Sequence, residues 1–581
     1  MRQVYLSLFS LLLSITGFSQ QKSSVKWGEE FKLRKGTTGL NVILADKTGA
    51  YLQESHIVMK SYYVFSATYK QSATLVKVNA NLSEVYRHSF NKELKGKEFF
   101  QFFACRDNLF IFSTVYSKRD KKLDIFAAKV DKGSGALAGA WKQVSSLPQE
   151  KASNSVQLRI AYSADSTNMV IVSSVEGKSR NEYKVQEFDS NLKASGKPIR
   201  ISNEFEPKKY QLEDLLYTSN HKVILVGRVY EYEEGKRKKE KFLDFDHYNI
   251  RLYDENGKQE SQINTSIKGK WLVSSKLLQE KNKDLVLAAF YSNDKKARTI
   301  DGLLVQRLDV ATGKIISTSD KQINNSLLMA SQDNAADEDG DDEKAAKDKK
   351  PSRDSLRKAQ ADDEVFSRYV QFKNIFHTSD GGLILLAEEY RSEQFTNQYY
   401  TPGTNGTPGR WTTTNYTIFR FGDLVMCKID SQGNIAWLQV LPKHQVERYT
   451  TSQRSGIAAT SYFYDWGTFS GLIGPLYSGF GALKTEGKID IILNDNAKNS
   501  AVTQAGDKAK NASNMGKSDC FILSVDEMTG NIHRKKLFSN EGIPTAMPQL
   551  GYVTGNDMYL IGRTNRALAK TKIAIGKLSL R

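Results

Sequence analysis

Three cysteines, Cys105, Cys427 and Cys520, are too few in 581 residues for a disulfide framework. Each lies in or beside an apolar run of strand length, which suits a small buried hydrophobe; one disulfide stays open. Proline is scarce, at 10 residues, whereas Tyr and Phe number 27 and 28. That balance suits many strands better than a helical bundle. The seven histidines are scattered, and neither an H-E-x-x-H pair nor a G-x-S-x-G elbow occurs. Asp244, Asp246 and His247 are neighbours, but strand alternation would put His247 on the opposite face from both carboxylates. No catalytic, metal-binding or cofactor-binding residue follows from the sequence.

Long hydrophobic runs are missing too, with one exception. Residues 1–19, "MRQVYLSLFSLLLSITGFS", set Arg2 before an apolar stretch from Val4 to Ile15 and end on Gly17-Phe18-Ser19. This is the pattern of a cleaved secretory leader. No later run approaches the roughly 20 apolar residues that span a bilayer. The chain is therefore expected to be exported, to the periplasm or the outer-membrane surface, with no transmembrane segment. Its net charge of +18 is a real excess. In an exported chain it suits an envelope protein, an acidic glycan or a lipid headgroup, and no nucleic acid is expected.

What is present is a repeat. Apolar, β-branched and aromatic runs begin at Asn108 ("NLFIFSTVY"), Lys222 ("KVILVGRVY"), Asp284 ("DLVLAAFY"), Gly382 ("GLILLAEEY"), Lys488 ("KIDIILND") and Asp557 ("DMYLIGRT"). A polar turn precedes most of them. Each is followed by a variable loop, then a second run that ends in an acidic residue and a turn, as in "FAAKVDKGSGAL", "VMCKIDSQGNIAW" and "ILSVDEMTGNI". In such turns Asp309, Asp430 and Asp526 accept backbone N–H groups two residues on. Gly313, Gly433 and Gly530 supply positive φ. These residues read as structural.

Each unit supplies about four short strands. One small sheet cannot bury both faces alone, but sheets stacked around an axis can. The expected fold is all-β, a β-propeller of about eight blades, or seven if 449–545 is not a blade. The last unit has only about three strands, and residues 25–34 ("VKWGEEFKLR") offer the missing one. Pairing this N-terminal strand into the C-terminal blade would close the ring. Residues 20–330 then hold the closing strand and the first five blades, and 366–581 the last ones. Between them, residues 331–365 are dense in mixed charge and nearly free of aromatic and β-branched residues, as in a disordered insertion.

Two stretches, 393–419 and 461–483, are rich in aromatic, Gly and Thr residues. Read as loops, they would expose Tyr399, Tyr400, Trp411, Tyr462, Tyr464 and Trp466 as a binding surface. The competing reading packs these rings over a blade edge.

The unit "DGGLILLAEEY…GDLVMCKIDSQGNIAWLQVLPK" resembles the blades of exported β-propeller proteins common in Bacteroidetes. That resemblance implies an exported propeller and carries no catalytic residues. "RLDVATGKI" and "VDEMTGNI" are similar to quinone-type propeller repeats, found in quinone-dependent dehydrogenases and in a cofactor-free outer-membrane assembly scaffold. The enzymes of that group carry adjacent cysteines under the quinone, which this chain lacks. Their repeat-ending Trp is matched at Trp437, with Trp141 a second case. The resemblance thus implies a scaffold. The expected function is a non-catalytic binding or scaffold module of the cell envelope, without cofactor. The alternative is a glycan-binding or glycan-active protein that uses the aromatic stretches.

Overall fold

The computed structural model describes residues 24–322 and 370–580, apart from 35–36, 64–65, 152–155, 164–166, 177–180, 204–208, 219–220, 235–240, 265–269, 280–284, 294–299, 310–313, 403–409, 455–460, 465–474, 543 and 565–571. The expected leader (1–19) and charged insertion (331–365) lie outside the described residues.

The fold is a β-propeller. Eight antiparallel sheets follow one another along the described chain, spanning 37–89, 98–148, 156–203, 210–264, 271–322, 370–464, 480–539 and 545–579. They are numbered one to eight below. The 449–545 region supplies the four-stranded seventh sheet. Helix among the described residues comprises the 3-10 turns Ala497–Asn499 and Met515–Lys517 within one link. No helix there is long and apolar enough to cross a membrane.

Period-2 alternation explains the stacking. In the second strand of sheet six, Leu383, Leu385 and Ala387 face the core shared with sheet five. The intervening Ile384 and Leu386 face the core shared with sheet seven. Such a strand is buried on both faces, which is why it reads as a continuous apolar run. Sheet five behaves alike, with Val286, Ala288 and Phe290 on one side and Leu285, Leu287 and Ala289 on the other. A core of this kind joins every consecutive pair of sheets, and the circuit closes where Leu52 and Val76 of sheet one meet Ile561 and Ile575 of sheet eight.

The N-terminal strand completes sheet eight as expected. Ser24–Trp27 pairs antiparallel with Lys572–Ser579, and Phe31–Lys32 pairs further along the same strand. Trp27 lies over Gly576, its register partner, and over Gly562, where an added Cβ would sit 2.5 Å from the indole.

Strand alternation gives the ring two unlike ends. First-to-second and third-to-fourth strand turns share one end; second-to-third turns and links between sheets share the other. The first end is plain, and its links run from two residues (47–48) to eleven (131–141). Seven of its turns open on Asp46, Asn79, Asp131, Asp189, Asp254, Asp430 or Asp526, whose side chains accept the N–H two residues on at 2.8–3.3 Å. Gly433 and Gly530 have φ of 91° and 74°. The turn after Asp309, with Gly313, lies outside the described residues.

These turns also tie neighbouring sheets. Lys132 pairs with Asp46 at 2.9 Å, Lys142 Nζ donates to Asn191 O at 2.7 Å, and Trp437 Nε1 donates to Glu527 O at 3.3 Å. Ser317 Oγ and Arg307 donate to the carbonyls of Gln432 and Ser431. The plain end is thus a structural girdle.

The opposite end is elaborated. It carries the 496–518 link and the long hairpins of sheets one, four and six, and the strands on either side of residues 323–369 end there.

Candidate functional site

Two places were open for a site: the ring's axis and the aromatic stretches. At the plain end of the axis, aromatic side chains converge. Phe103 and Tyr162, from the inner strands of sheets two and three, lie 4.9 Å apart, and Tyr162 donates to Ala104 O at 2.6 Å. Burial pushes the Tyr162 phenol up, and Tyr552 from sheet eight adds to the shift. Among the described residues no three His, Cys, Asp or Glu side chains gather as a metal would require. In "DFDHY", Asp246 is a bulge residue between the Val229–His247 and Tyr230–Phe245 pairs. The bulge breaks the expected alternation and brings the Asp246 carboxylate to 2.6 Å from His247 Nδ1.

The first aromatic stretch is not a loop. Leu383–Thr401 and Arg410–Ile429 are single long strands whose far halves run on beyond the blade, in register from Tyr390–Phe421 to Thr401–Arg410. Gln445–Arg454 pairs along the far half of Arg410–Ile429, and Ser461–Tyr464 pairs in turn with Gln445–Arg454. The result is an arm of four strands on the elaborated end. Its eleven residues 391–401 reach roughly 35 Å at about 3.4 Å per residue. The sequence hid this because 402–409 is rich in Gly and Pro, while Thr, Tyr, Phe and Trp around it have strand propensity. Residues 461–483 are likewise not one loop, since Phe480 and Leu483 are buried in the inner strand of sheet seven.

The arm is rooted by buried polar groups. Lys443 Nζ contacts Glu388 Oε1 at 2.6 Å with both side chains withdrawn from water, and also donates to Gln445 Oε1 at 2.8 Å. Gln445 Oε1 accepts Gly479 N–H at 2.9 Å, and its amide donates to Asn494 O at 2.6 Å. Two residues on, Glu447 accepts the successive N–H groups of Leu476, Tyr477 and Ser478. Tyr449 donates to the same carboxylate at 2.6 Å, and burial pushes its phenol up. The chain leaving along Gln445–Arg454 and the chain returning at 475–479 are thereby clamped together. No motif announced this root; its only trace is a Lys-His-Gln-Val-Glu run just after an apolar strand.

Rings continue from root to tip. Tyr390 lies 4.9 Å from Phe421, Phe395 stacks on Tyr416 at 5.2 Å, and Tyr400 lies 5.2 Å from Trp411. Of the expected surface residues, Tyr399, Tyr400 and Trp411 are 52%, 52% and 54% exposed. Tyr400 and Trp411 are cross-strand partners and share a face; Tyr399 lies on the other. Beside that pair stand Gln398 with Thr413, and Thr396, which donates to Asn415 at 2.7 Å. Tyr462 and Tyr464 fall opposite Gln453 and Thr451 in the outermost strand. Trp466 lies outside the described residues. From 394 to 400 and from 411 to 419 the arm carries no charged residue, although charged residues are 25% of the chain.

No family description matches the chain, and no curated protein matches it. Solved structures that align with it include the β-propeller domain of the Trilobed protease from Pyrococcus furiosus, at 10% identity over 74% of this chain and 99% of that one, with a TM-score of 0.29. An α-L-arabinanase from Penicillium chrysogenum aligns at 8% identity over 52% and 97%, with a TM-score of 0.28. Prolyl oligopeptidase B from Galerina marginata aligns at 12% identity over 60% of this chain, with a TM-score of 0.26, and the match spans 38% of the oligopeptidase. Likenesses this distant assign no activity.

Proposed function

We propose that this chain is an exported, non-catalytic binding module of the cell envelope, and that the arm on its elaborated end carries the recognition surface. The observation that carries this reading is the Tyr400–Trp411 pair, half exposed on paired strands that a buried ion pair holds to the ring. Exposed rings on a rigid support bring contact area at low entropic cost. The leader pattern in residues 1–19 supports export. The partner class is an envelope protein with a neutral, amphipathic docking face.

One observation favours a glycan instead. The ring pair alternates with Thr, Asn and Gln, and sugars can stack on rings while their hydroxyls meet amides. Trp411→Ala and Tyr400→Ala, examined one at a time, test the reading. Each is expected to weaken binding to envelope fractions by about 30-fold, near 2 kcal/mol, with an unchanged melting temperature. A parallel glycan array separates the two ligand classes. Unchanged binding, or a large fall in melting temperature, would defeat the proposal.

A further inference from the structure

We infer that two copies of this chain pair edge to edge through the arm, along residues 394–400, in an antiparallel ladder centred on Asn397. The first observation is an open edge. The near half of Leu383–Thr401 is covered by Val370–His377, which pairs only as far as Glu389. Beyond that, among the described residues, the strand pairs on one side only, with Arg410–Ile429. Residues 394–400 are all exposed.

The second observation is that nothing blunts this edge. Exposed edges are usually protected by Lys, Pro, other charges or bulges. Several outer strands of this protein follow that habit, although Ile435–Leu441 of sheet six carries no charge or Pro. Lys142–Pro148 ends in Pro; Ala194–Asn203 carries Lys197 and Pro198; Ile532–Ser539 carries Arg534, Lys535 and Lys536. Between the paired strands Val223–Glu234 and Lys241–Tyr253 of sheet four, the sequence from 233 to 241 reads "EEGKRKKEK". The stretch 394–400 reads "QFTNQYY", with no charge, Pro or Gly, and no register shift interrupts its pairing.

The third observation selects a second copy as the occupant. About Asn397 the sequence is nearly palindromic in character: Phe395-Thr396-Asn397-Gln398-Tyr399. In an antiparallel pair centred there, Phe395 of one copy faces Tyr399 of the other, twice, on one face. Thr396 faces Gln398 twice on the opposite face, and Asn397 faces its own copy. Phe395 and Tyr399 are 41% and 52% exposed in the single chain. Aromatic cross-strand pairs are among the favourable ones. Main-chain bonds would supply affinity, and these pairs the register. A two-fold axis at one residue also closes the assembly at two copies, avoiding open fibres.

The test reads oligomeric state in the whole protein by sedimentation over a concentration series. The wild type is expected to dimerise. Phe395→Lys with Tyr399→Lys sets like charges opposite each other and is expected to raise the dimer dissociation constant at least about tenfold. Mixing that variant with Phe395→Glu/Tyr399→Glu is expected to restore a mixed dimer. Asn397→Cys places two thiols at a Cα separation of about 4.5–5.5 Å, within disulfide reach. Mild oxidation should then link two chains, while Cys105, Cys427 and Cys520 stay buried and silent. Trp411→Ala is expected to leave the dimer intact, which keeps this test apart from the recognition reading. A monomer at every concentration, a dimer indifferent to the charge pair, or no link through residue 397 would each overturn the inference. Melting curves confirm that each variant is folded.

Discussion

Lys443 and Glu388 are both withdrawn from water, so removing either strands the charge of the other. Lys443→Met is expected to lose about 3–5 kcal/mol in urea unfolding, and adding Glu388→Leu should recover most of it. A loss under about 1 kcal/mol in the single variant would mean that the pair does not hold the root. Asp380 answers to pH. The hydrogen bond from Lys428, with a second from Thr378, pulls its carboxyl down to about 2 from 3.8. A carboxyl depressed by folding adds stability above its unfolded pKa, and that stability fades as pH falls through the folded value. The melting-temperature gap between wild type and Asp380→Asn should therefore be widest above about pH 4 and close near pH 2, as calorimetry can show. At this scale the sequence is legible where residues repeat a local role, as with Asp430 and Gly433. It is silent on Glu388 or Lys443, whose partners are 55 residues apart and meet only in three dimensions.

Strands and turns were largely legible, because alternation records which faces are buried. The apolar run from Gly382 meant burial on both sides, and the structure fills both sides. The arm was not legible as strand, because the Gly/Pro cluster at 402–409 masks alternation on either flank. The closing strand was readable for a different reason: the last unit was one strand short. Its anchor is Trp27, which packs over Gly562 and Gly576 and meets Phe538 edge-on at 5.7 Å. Trp27→Ala is expected to cost about 3 kcal/mol by emptying that seat. Gly562→Ala should cost about 1–3 kcal/mol, since its methyl would collide with the indole. If both changes leave denaturant midpoints unmoved, the N-terminal strand contributes little to closure, and the ring holds by its inter-sheet cores alone.

The whole ring divides its labour between two ends. On the plain end, short turns reach across to the next sheet, so lengthening one breaks its ties. On the elaborated end, Lys314–Gln322 ends and Val370–His377 begins, and a change in the length of chain between them is expected to cost little entropy. Matched changes at the two ends test this asymmetry. Eight Gly/Ser residues inserted between Gln432 and Gly433 would disrupt the Asp430 turn and displace the carbonyls that Ser317 and Arg307 hold. The expected loss is about 2 kcal/mol, from a few hydrogen bonds of about 1 kcal/mol each. Deleting residues 331–365 and rejoining the ends with a short flexible linker should shift stability by less than about 0.5 kcal/mol, since so charged a tract can bury little. Denaturant unfolding of both variants beside the wild type reads the contrast directly. Equal losses would show that the elaborated end is woven into the fold as tightly as the girdle. A tolerant deletion beside a costly insertion would show that the ring spends its stability at one end and leaves the other free to carry the arm.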